Sequence, residues 1–214
     1  MDIMETFNTN LGTVEKAVKN FPWTDPKSYV QFLSQTYYYV KHSTPLLGRA
    51  LRKMDSTSEA DMKGRFLDHT KEEKGHQYLV VDDLKFFGLT TESIPEYPET
   101  VAFYKLQYDY INQNGPTSLF GYILQLEGTA WKYGDNICSA IIKTFGPEAA
   151  HFMKVHSGNE IEHVESALKM IRGLSPEQIV VNEENFIKSC DAYAKLLERA
   201  KIEGQKSLIT LKSA

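Results

Sequence analysis

The sequence has no long run of lysine or arginine and no long apolar segment. Its 24 basic and 28 acidic residues give a net charge of −4, with an isoelectric point near 5.9. Nucleic acids and anionic membrane surfaces are bound by basic patches, and a membrane-spanning helix needs roughly 20 apolar residues. We therefore expect neither nucleic acid nor a membrane as a partner.

The N-terminal residues also lack the basic and apolar regions of a secretory signal. The only cysteines, Cys138 and Cys190, lie far apart and form neither a metal-binding nor a redox motif. Isolated cysteines of this kind are typical of free thiols in a reducing compartment. A cytoplasmic protein is expected.

No segment alternates long enough to predict a β-strand, whereas apolar residues recur at helical spacing along most of the chain. Pro26 suits the first turn of a helix that Pro45 should kink or interrupt. Ser175 and Pro176 suit the start of the last helix. The sequence predicts a single all-α domain over residues 1–214, a bundle of about six or seven helices. The main helical runs are 26–54, 61–88, 98–113, 116–145, 147–173 and 176–204.

Two octets, HTKEEKGH at residues 69–76 and HSGNEIEH at residues 156–163, share the pattern His-x-x-x-Glu-x-x-His. On a continuous helix, positions i, i+4 and i+7 fall within about 60° of one another. Each octet would then present two imidazoles and a carboxylate on one narrow stripe. Histidine and carboxylate without thiolate suit iron, manganese or zinc. The pattern predicts a metal site formed by His69, Glu73, His76, His156, Glu160 and His163.

A site with two metal ions needs a further carboxylate, and Glu127 is the best candidate because the residues before it are almost wholly apolar or small. A buried carboxylate is unfavourable unless it is paired or bound to a metal. Within the first octet, helix geometry permits either Glu72 or Glu73 as the ligand. Asn159 takes the place of Glu72 in the second octet, which weakly favours Glu73.

Outside the octets, His42 and His151 are interpreted as structural, with a substrate contact as the alternative for His42. Five aromatic residues on the first and middle helices could line an apolar substrate site, although aromatics at helical spacing more often form plain core. They are Tyr37, Tyr38, Phe120, Tyr122 and Trp131.

The first octet in its context, HTKEEKGHQYLVVDDLKFFG, together with a mid-chain glutamate and the second octet, resembles the haem-oxygenase-like diiron oxidases. The resemblance runs from QFLSQTYYYVKHSTPLL to HVESALKMI and is nearest to the iron-containing redox enzyme branch. It implies the all-α haem-oxygenase fold, and it leaves a homodimer open. Neither cysteine has a recognisable nucleophile context, so the thiaminase-type relatives of this fold match less well.

The resemblance also implies a cofactor and a reaction. Two non-haem iron ions are expected, with manganese as the alternative and O₂ as co-substrate, for the oxidation or cleavage of a small molecule resembling an amino acid or a fatty acid. The expected catalytic carboxylates are Glu73, Glu127 and Glu160, although the family often has aspartate at the last position. His69 is either a seventh metal ligand or a residue that contacts the ligands without binding the metal itself. The six implied ligands are Glu73, His76, Glu127, His156, Glu160 and His163.

Two alternative functions are considered. A ferritin-like iron-handling protein would also use Glu-x-x-His pairs, but it would need a carboxylate on the first long helix, and residues 29–54 contain neither aspartate nor glutamate. A metal-free binding module of haem-oxygenase-like fold would leave the six positions scattered or solvated.

Overall fold

The structure, a computed structural model, describes residues 3–55, 60–158 and 160–212, without the side chains of residues 3–6, 160 and 161. Within these ranges every regular element is helical, which confirms the predicted all-α class. Two short 3₁₀ turns, Pro116–Leu119 and Pro147–Ala149, precede the seventh and eighth α-helices. The α-helices are α1 Ile3–Asn20, α2 Pro26–Val40, α3 Ser43–Lys53, α4 Ala60–Glu72, α5 His76–Phe86, α6 Pro98–Asn114, α7 Phe120–Phe145, α8 His151–Val155, α9 Glu160–Arg172 and α10 Pro176–Lys206.

Several helix boundaries follow the local signals in the sequence. Ser175 and Gln178 form a reciprocal capping box at the start of α10, where each side chain bonds the other residue's backbone N–H. The interruption expected near Pro45 is also present, because α2 and α3 are separate helices. No helix of the described ranges is both long and apolar enough to cross a membrane.

Helix α1 is a part of the core for which the sequence analysis made no prediction. Its apolar residues Phe7, Leu11, Val14 and Val18 are all buried. Their spacing of three to four residues gives one apolar face, and that face packs mainly against α10.

The long helices α7 and α10 organise the bundle. Helix α10 has 31 residues, a length of about 46 Å at 1.5 Å per residue, and it packs against α1, α2, α6 and α7. Helix α7 also packs against α9, and α5 packs against both α2 and α8. The helices that carry the second octet, α8 and α9, therefore lie beside α7, the helix that carries Glu127. The first octet reaches α7 through a side chain, because His69 of α4 lies 3.6 Å from Glu127.

Candidate metal centre

The first octet is not a continuous helix. Helix α4 ends at Glu72, α5 begins at His76, and Gly75 between them has a φ of +97°. This backbone conformation is easily adopted only by glycine and typically ends a helix. The prediction of one helix over residues 61–88, with His69, Glu73 and His76 on one stripe, was therefore wrong.

The second octet is interrupted in the same way. Helix α8 ends at Val155, Gly158 has a φ of +98°, and α9 begins at Glu160. The expected single helix over residues 147–173 and its ligand stripe were wrong for the same physical reason. Asn159 and the side chain of Glu160 lie outside the described residues, so the expected role of Glu160 as a ligand stays a prediction.

The two breaks bring together a first donor group, defined as Glu73, His76 and His156. Each of these residues offers one ligand atom, and the three atoms lie within 4.8 Å of one another. The imidazole rings of His76 and His156 are 4.8 Å apart between centroids and nearly perpendicular. His156 Nδ1 lies 2.9 Å from the carbonyl oxygen of Phe152. Because that oxygen can only accept, Nδ1 carries the proton and Nε2 keeps the lone pair that a metal needs.

A second donor group consists of His69, Glu127 and His163. Glu127 Oε1 lies 3.6 Å from His69 Nδ1 and 3.9 Å from His163 Nδ1. Glu127 and His69 are buried, whereas the His163 side chain is 40% exposed. The expected burial of Glu127 is present, since only 7% of its side chain is exposed.

Glu73 faces histidines of both donor groups. Its Oε2 lies 3.7 Å from His76 Nδ1, and its Oε1 lies 3.9 Å from His69 Nε2. Glu72, by contrast, lies 3.3 Å from His69 through its Oε2 and the histidine Nδ1, feels the charge of His163 in the same donor group, and is 46% exposed. Of the two candidates in the first octet, the geometry favours Glu73 as a carboxylate shared by the two groups.

Arg65 is a charged neighbour of the site that the sequence analysis did not identify. Its Nη2 donates to Glu127 Oε1 at 3.3 Å, its Nη1 lies 3.5 Å from Glu72 Oε2, and its Nε donates to Ser166 Oγ at 3.1 Å. The only sequence signal was its position on α4, one turn before His69. A hydrogen bond from His69 lowers the pKa of Glu72 to about 2, although burial acts in the opposite direction. The charges of Arg65, His69 and His163 contribute to the lowering.

Both donor groups line one cavity of about 390 Å³. Aliphatic and aromatic side chains form most of the remaining wall. Among the five aromatic residues considered as lining, Tyr122 lines this cavity and the other four do not. The Tyr38 hydroxyl donates to backbone carbonyl oxygens of the 88–97 loop, and the Tyr37 ring packs against the Tyr38 ring. Phe120 packs on Phe66. Trp131 is 41% exposed and stacks on Phe7. For those four the substrate-lining interpretation was wrong.

Three tyrosines from distant parts of the chain form an uncharged polar patch on the cavity wall. Tyr39 of α2, Tyr122 of α7 and Tyr193 of α10 all line the cavity. Their rings pack around Phe103, with centroid distances of 5.3, 5.3 and 5.6 Å respectively. Burial raises the pKa of each phenol, that of Tyr39 to about 12, so all three stay protonated at neutral pH.

The two histidines outside the octets lie away from the cavity lining. His42 stacks on Tyr104 at 3.8 Å and bonds the hydroxyl of Tyr108 through Nδ1 at 3.0 Å. His151 Nδ1 bonds Asp83 at 2.9 Å, and Asp83 also accepts from the His151 backbone N–H at the start of α8. These contacts agree with a structural role for both residues and give no support to a substrate contact by His42.

The donors of the first group fit a divalent metal ion. Histidine and carboxylate ligands lie about 2.0–2.2 Å from such ions, so two ligand atoms on one ion are at most ~4.4 Å apart. The 4.8 Å bound of the first group lies a few tenths of an ångström outside that limit. In the second group the two distances to Glu127 Oε1, 3.6 and 3.9 Å, lie within it, but the rings of His69 and His163 are 6.5 Å apart between centroids. Small side-chain movements would complete the first site, whereas the second group is a less compact set of donors beside it.

A helical bundle that presents carboxylate and histidine donors to one cavity defines a class of protein suited to binding metal ions. Residues 30–196 match the family described as iron-containing redox enzymes. The chain belongs to this family.

Solved structures show the same fold. A domain of unknown function with a heme oxygenase-like fold from Shewanella denitrificans is 19% identical, with a TM-score of 0.83 over 100% of this chain and 99% of that one. A TenA homologue from Pseudomonas syringae pv. tomato is 16% identical, with a TM-score of 0.79 over 92% and 91%. A CADD-like protein of unknown function from Nostoc punctiforme is 16% identical, with a TM-score of 0.68 over 94% and 99%. These similarities establish the haem-oxygenase-like fold. No curated protein matches the sequence.

Proposed function

We propose that the protein is a non-haem iron enzyme that holds two iron ions and uses O₂ to oxidise or cleave a small organic substrate. The observation that carries this proposal is the convergence of five of the six expected ligands on one cavity, in two groups that Glu73 connects. Membership of a family of iron-containing redox enzymes supports iron as the metal. Manganese remains the alternative, because the same ligands suit it.

Glu73, His76 and His156 would hold the first iron ion. Glu127, His163 and His69 would hold the second. Bound ferrous iron would supply electrons for the reduction of O₂, which side chains alone do not provide. The Phe152 carbonyl fixes the tautomer of His156. The mostly apolar wall would reduce the access of water to the reacting groups, and this would limit side reactions.

Arg65 offsets the negative charge of Glu127 and Glu72 and holds their oxygens in place. A buried carboxylate without a counter-charge is strongly unfavourable, so Arg65 would keep the second donor group assembled before metal enters. This is a positioning role, because Arg65 is not among the residues that line the cavity.

The alternatives make different predictions for the same positions. A metal-free module predicts scattered or solvated residues, whereas the described positions converge and are largely withdrawn from solvent. A ferritin-like protein would need a carboxylate from α2 or α3, and none of the described residues that line the cavity from these helices is acidic. Both comparisons favour a dedicated metal centre.

The test is to load metal-free protein anaerobically with ferrous iron, remove unbound metal and measure iron per chain. About two irons per chain are expected for a paired carboxylate–histidine site. His156→Ala and His163→Ala should each reduce the iron content, because each removes one ligand from a different donor group. His42→Ala is the matched control, since that histidine lies outside the cavity.

Exposure of the loaded protein to O₂ should then oxidise the iron, with uptake of O₂ measured by an electrode. Retention of no iron would support the metal-free module, and much more than two irons per chain would support a ferritin-like protein. Unchanged iron content in both His156→Ala and His163→Ala would show that the ligand assignment is wrong.

A further inference from the structure

One buried carboxylate joins the helix that carries His76 to the short helix that precedes His156. Asp83 lies on α5 and is fully buried. Its Oδ1 accepts from the backbone N–H of His151 at 2.7 Å and lies 2.9 Å from His151 Nδ1. Its Oδ2 accepts from the backbone N–H of Phe152 at 3.0 Å. Both carboxylate oxygens are therefore bonded to the first turn of α8.

These bonds satisfy the carboxylate and the helix at the same time. A buried carboxylate is unfavourable unless it is paired or hydrogen-bonded. Burial raises the pKa of Asp83, and the N–H groups of Phe152 and His151 act in the opposite direction. The same N–H groups have no partner within their own helix, because they belong to its first turn. Asp83 is thus a cap for α8 that another helix supplies.

Phe152 connects this carboxylate to the metal-ligand candidate His156. The carbonyl oxygen of Phe152 accepts from the backbone N–H of His156 at 3.2 Å and lies 2.9 Å from His156 Nδ1. The Phe152 ring stacks on the imidazole at 4.1 Å between centroids. The residue whose own N–H is held by Asp83 therefore sets both the place of the imidazole and the nitrogen that carries its proton.

Asp83 also has a fixed relation to the other imidazole of the first donor group. It follows His76 by seven residues on α5, almost two full turns, so both residues lie on the same side of that helix. A movement of α8 against α5 would change the distance between the rings of His76 and His156, which are 4.8 Å apart between centroids. Ligand sites tolerate displacements of only about 0.5 Å.

We propose that Asp83 is a positioning residue of the first donor group. By holding the first turn of α8 against α5, it keeps His156 at the distance from His76 that a shared metal ion requires, with the proton of His156 on Nδ1. It acts through Phe152, because Asp83 is not among the described residues that line the cavity. The consequence for metal binding rests on the proposed function, whereas the effect on the His156 proton does not.

Asp83→Asn tests this role with little change in volume. The amide keeps one oxygen acceptor but places an NH₂ donor against a backbone N–H, so the attachment of α8 should loosen. Metal-free protein with ¹⁵N-labelled histidine would be studied by NMR at about pH 8, where ordinary imidazoles are neutral. His156 should be protonated at Nδ1 alone in the parent and at either nitrogen in Asp83→Asn. Its signal is assigned by its loss in His156→Gln.

Metal binding provides the second measurement. The affinity for ferrous iron, measured by anaerobic titration calorimetry, should fall about ten-fold in Asp83→Asn, as when a group that supports a ligand is lost. Thr100→Val is the matched control. Thr100 is fully buried, donates to Gln35 Oε1 at 2.7 Å and does not line the cavity. Both variants should lower Tm because each loses a buried hydrogen bond, but Thr100→Val should keep the parent's iron affinity and His156 tautomer.

His151→Ala is a milder variant that decides the question if Asp83→Asn does not fold. It removes one of the three groups bonded to Asp83, and its side chain is 35% exposed. Iron affinity should fall about two- to five-fold, the ratio that corresponds to one net hydrogen bond. His42→Ala should leave iron affinity unchanged, because that imidazole is bonded to Tyr108 instead.

A single Nδ1–H tautomer of His156 and normal iron affinity in Asp83→Asn would overturn the proposal and leave Asp83 as a cap that only stabilises the fold. Normal iron affinity in His151→Ala would do the same if Asp83→Asn does not fold. An equal fall in iron affinity in Thr100→Val would also overturn it, because lower stability would then explain the effect. If the parent binds no iron but Asp83→Asn changes the tautomer, the proposed function fails and the positioning role of Asp83 stands.

Discussion

Replacement of Gly134 by alanine is expected to weaken metal binding without disrupting the fold. Gly134 lies on α7 at the point where this helix passes the backbone of the second octet. A Cβ atom at this position would lie 2.9 Å from the His156 carbonyl oxygen and 3.7 Å from Ser157 Cα. Non-bonded atoms in ordinary contact are ~3.4 Å or more apart. The His156 backbone would therefore have to move by about 0.5 Å.

Two effects of this substitution oppose each other. Alanine is favoured over glycine in a helix interior by about 1 kcal/mol, which alone would raise Tm by about 2–4 °C in a chain of this size. Displacement of His156 counteracts this gain. A displacement of about 0.5 Å reaches the limit of what a ligand site tolerates. We expect metal affinity to fall about 10- to 100-fold, as when a residue that supports a ligand is lost, with Tm unchanged or lower.

The measurements are anaerobic titration calorimetry with ferrous iron and thermal unfolding of the metal-free protein. Gly12→Ala is the control, because Gly12 is exposed on α1 and a Cβ there meets no atom within 4 Å. Gly12→Ala should show the gain in Tm and normal metal binding. If Gly134→Ala behaves in the same way, the close approach of α7 does not constrain His156 and this reasoning is refuted.

Three further predictions follow from buried groups. Arg65→Met should lower the Tm of the metal-free protein by about 6–12 °C, because the loss of a partner from a buried ion pair costs about 3 kcal/mol. Iron loading should restore part of the lost stability, because the metal supplies positive charge to Glu127. An equal loss of Tm in the loaded and metal-free proteins would contradict this prediction. Tyr133→Phe should raise Tm by about 2–4 °C, since it removes a buried hydroxyl without a partner among the described residues, worth about 1 kcal/mol; a lower Tm would indicate a bond to water. Cys138 and Cys190 should not react with a thiol reagent at pH 8 until the protein is denatured, because both are buried and burial raises the pKa of both thiols; rapid reaction of the native protein would count against this packing.

The parts of the fold that were predicted from the sequence depend on local signals. Capping at Ser175 acts within one turn of its own helix, and so does the interruption near Pro45. The burial of Glu127 also follows from its immediate neighbours, because an apolar run of helix has to face the interior. Such features need no knowledge of which helices pack together.

The features that were missed depend on contacts between distant residues or on a single backbone angle. Arg65 and Glu127 are 62 positions apart and on different helices, so no spacing in the sequence connects them. The tyrosine patch combines residues of α2, α7 and α10, and nothing in the sequence distinguishes Tyr39 or Tyr193 from the other tyrosines. The break at Gly75 had a local signal, but glycine is also tolerated inside helices at a cost of about 1 kcal/mol.

The helix break at Gly75 explains how one octet can serve both donor groups. On a continuous helix, His69, Glu73 and His76 would all project the same way and would compete for a single ion. In the structure α4 ends before Glu73 and α5 starts after Gly75, so His69 lies beside Glu127 and His76 lies beside His156. Glu73 lies in the turn between them, with one carboxylate oxygen towards each histidine. Each octet is therefore better understood as a helix that is interrupted by a turn at a glycine. The glycine in each copy is as necessary to the proposed two-ion site as its histidines.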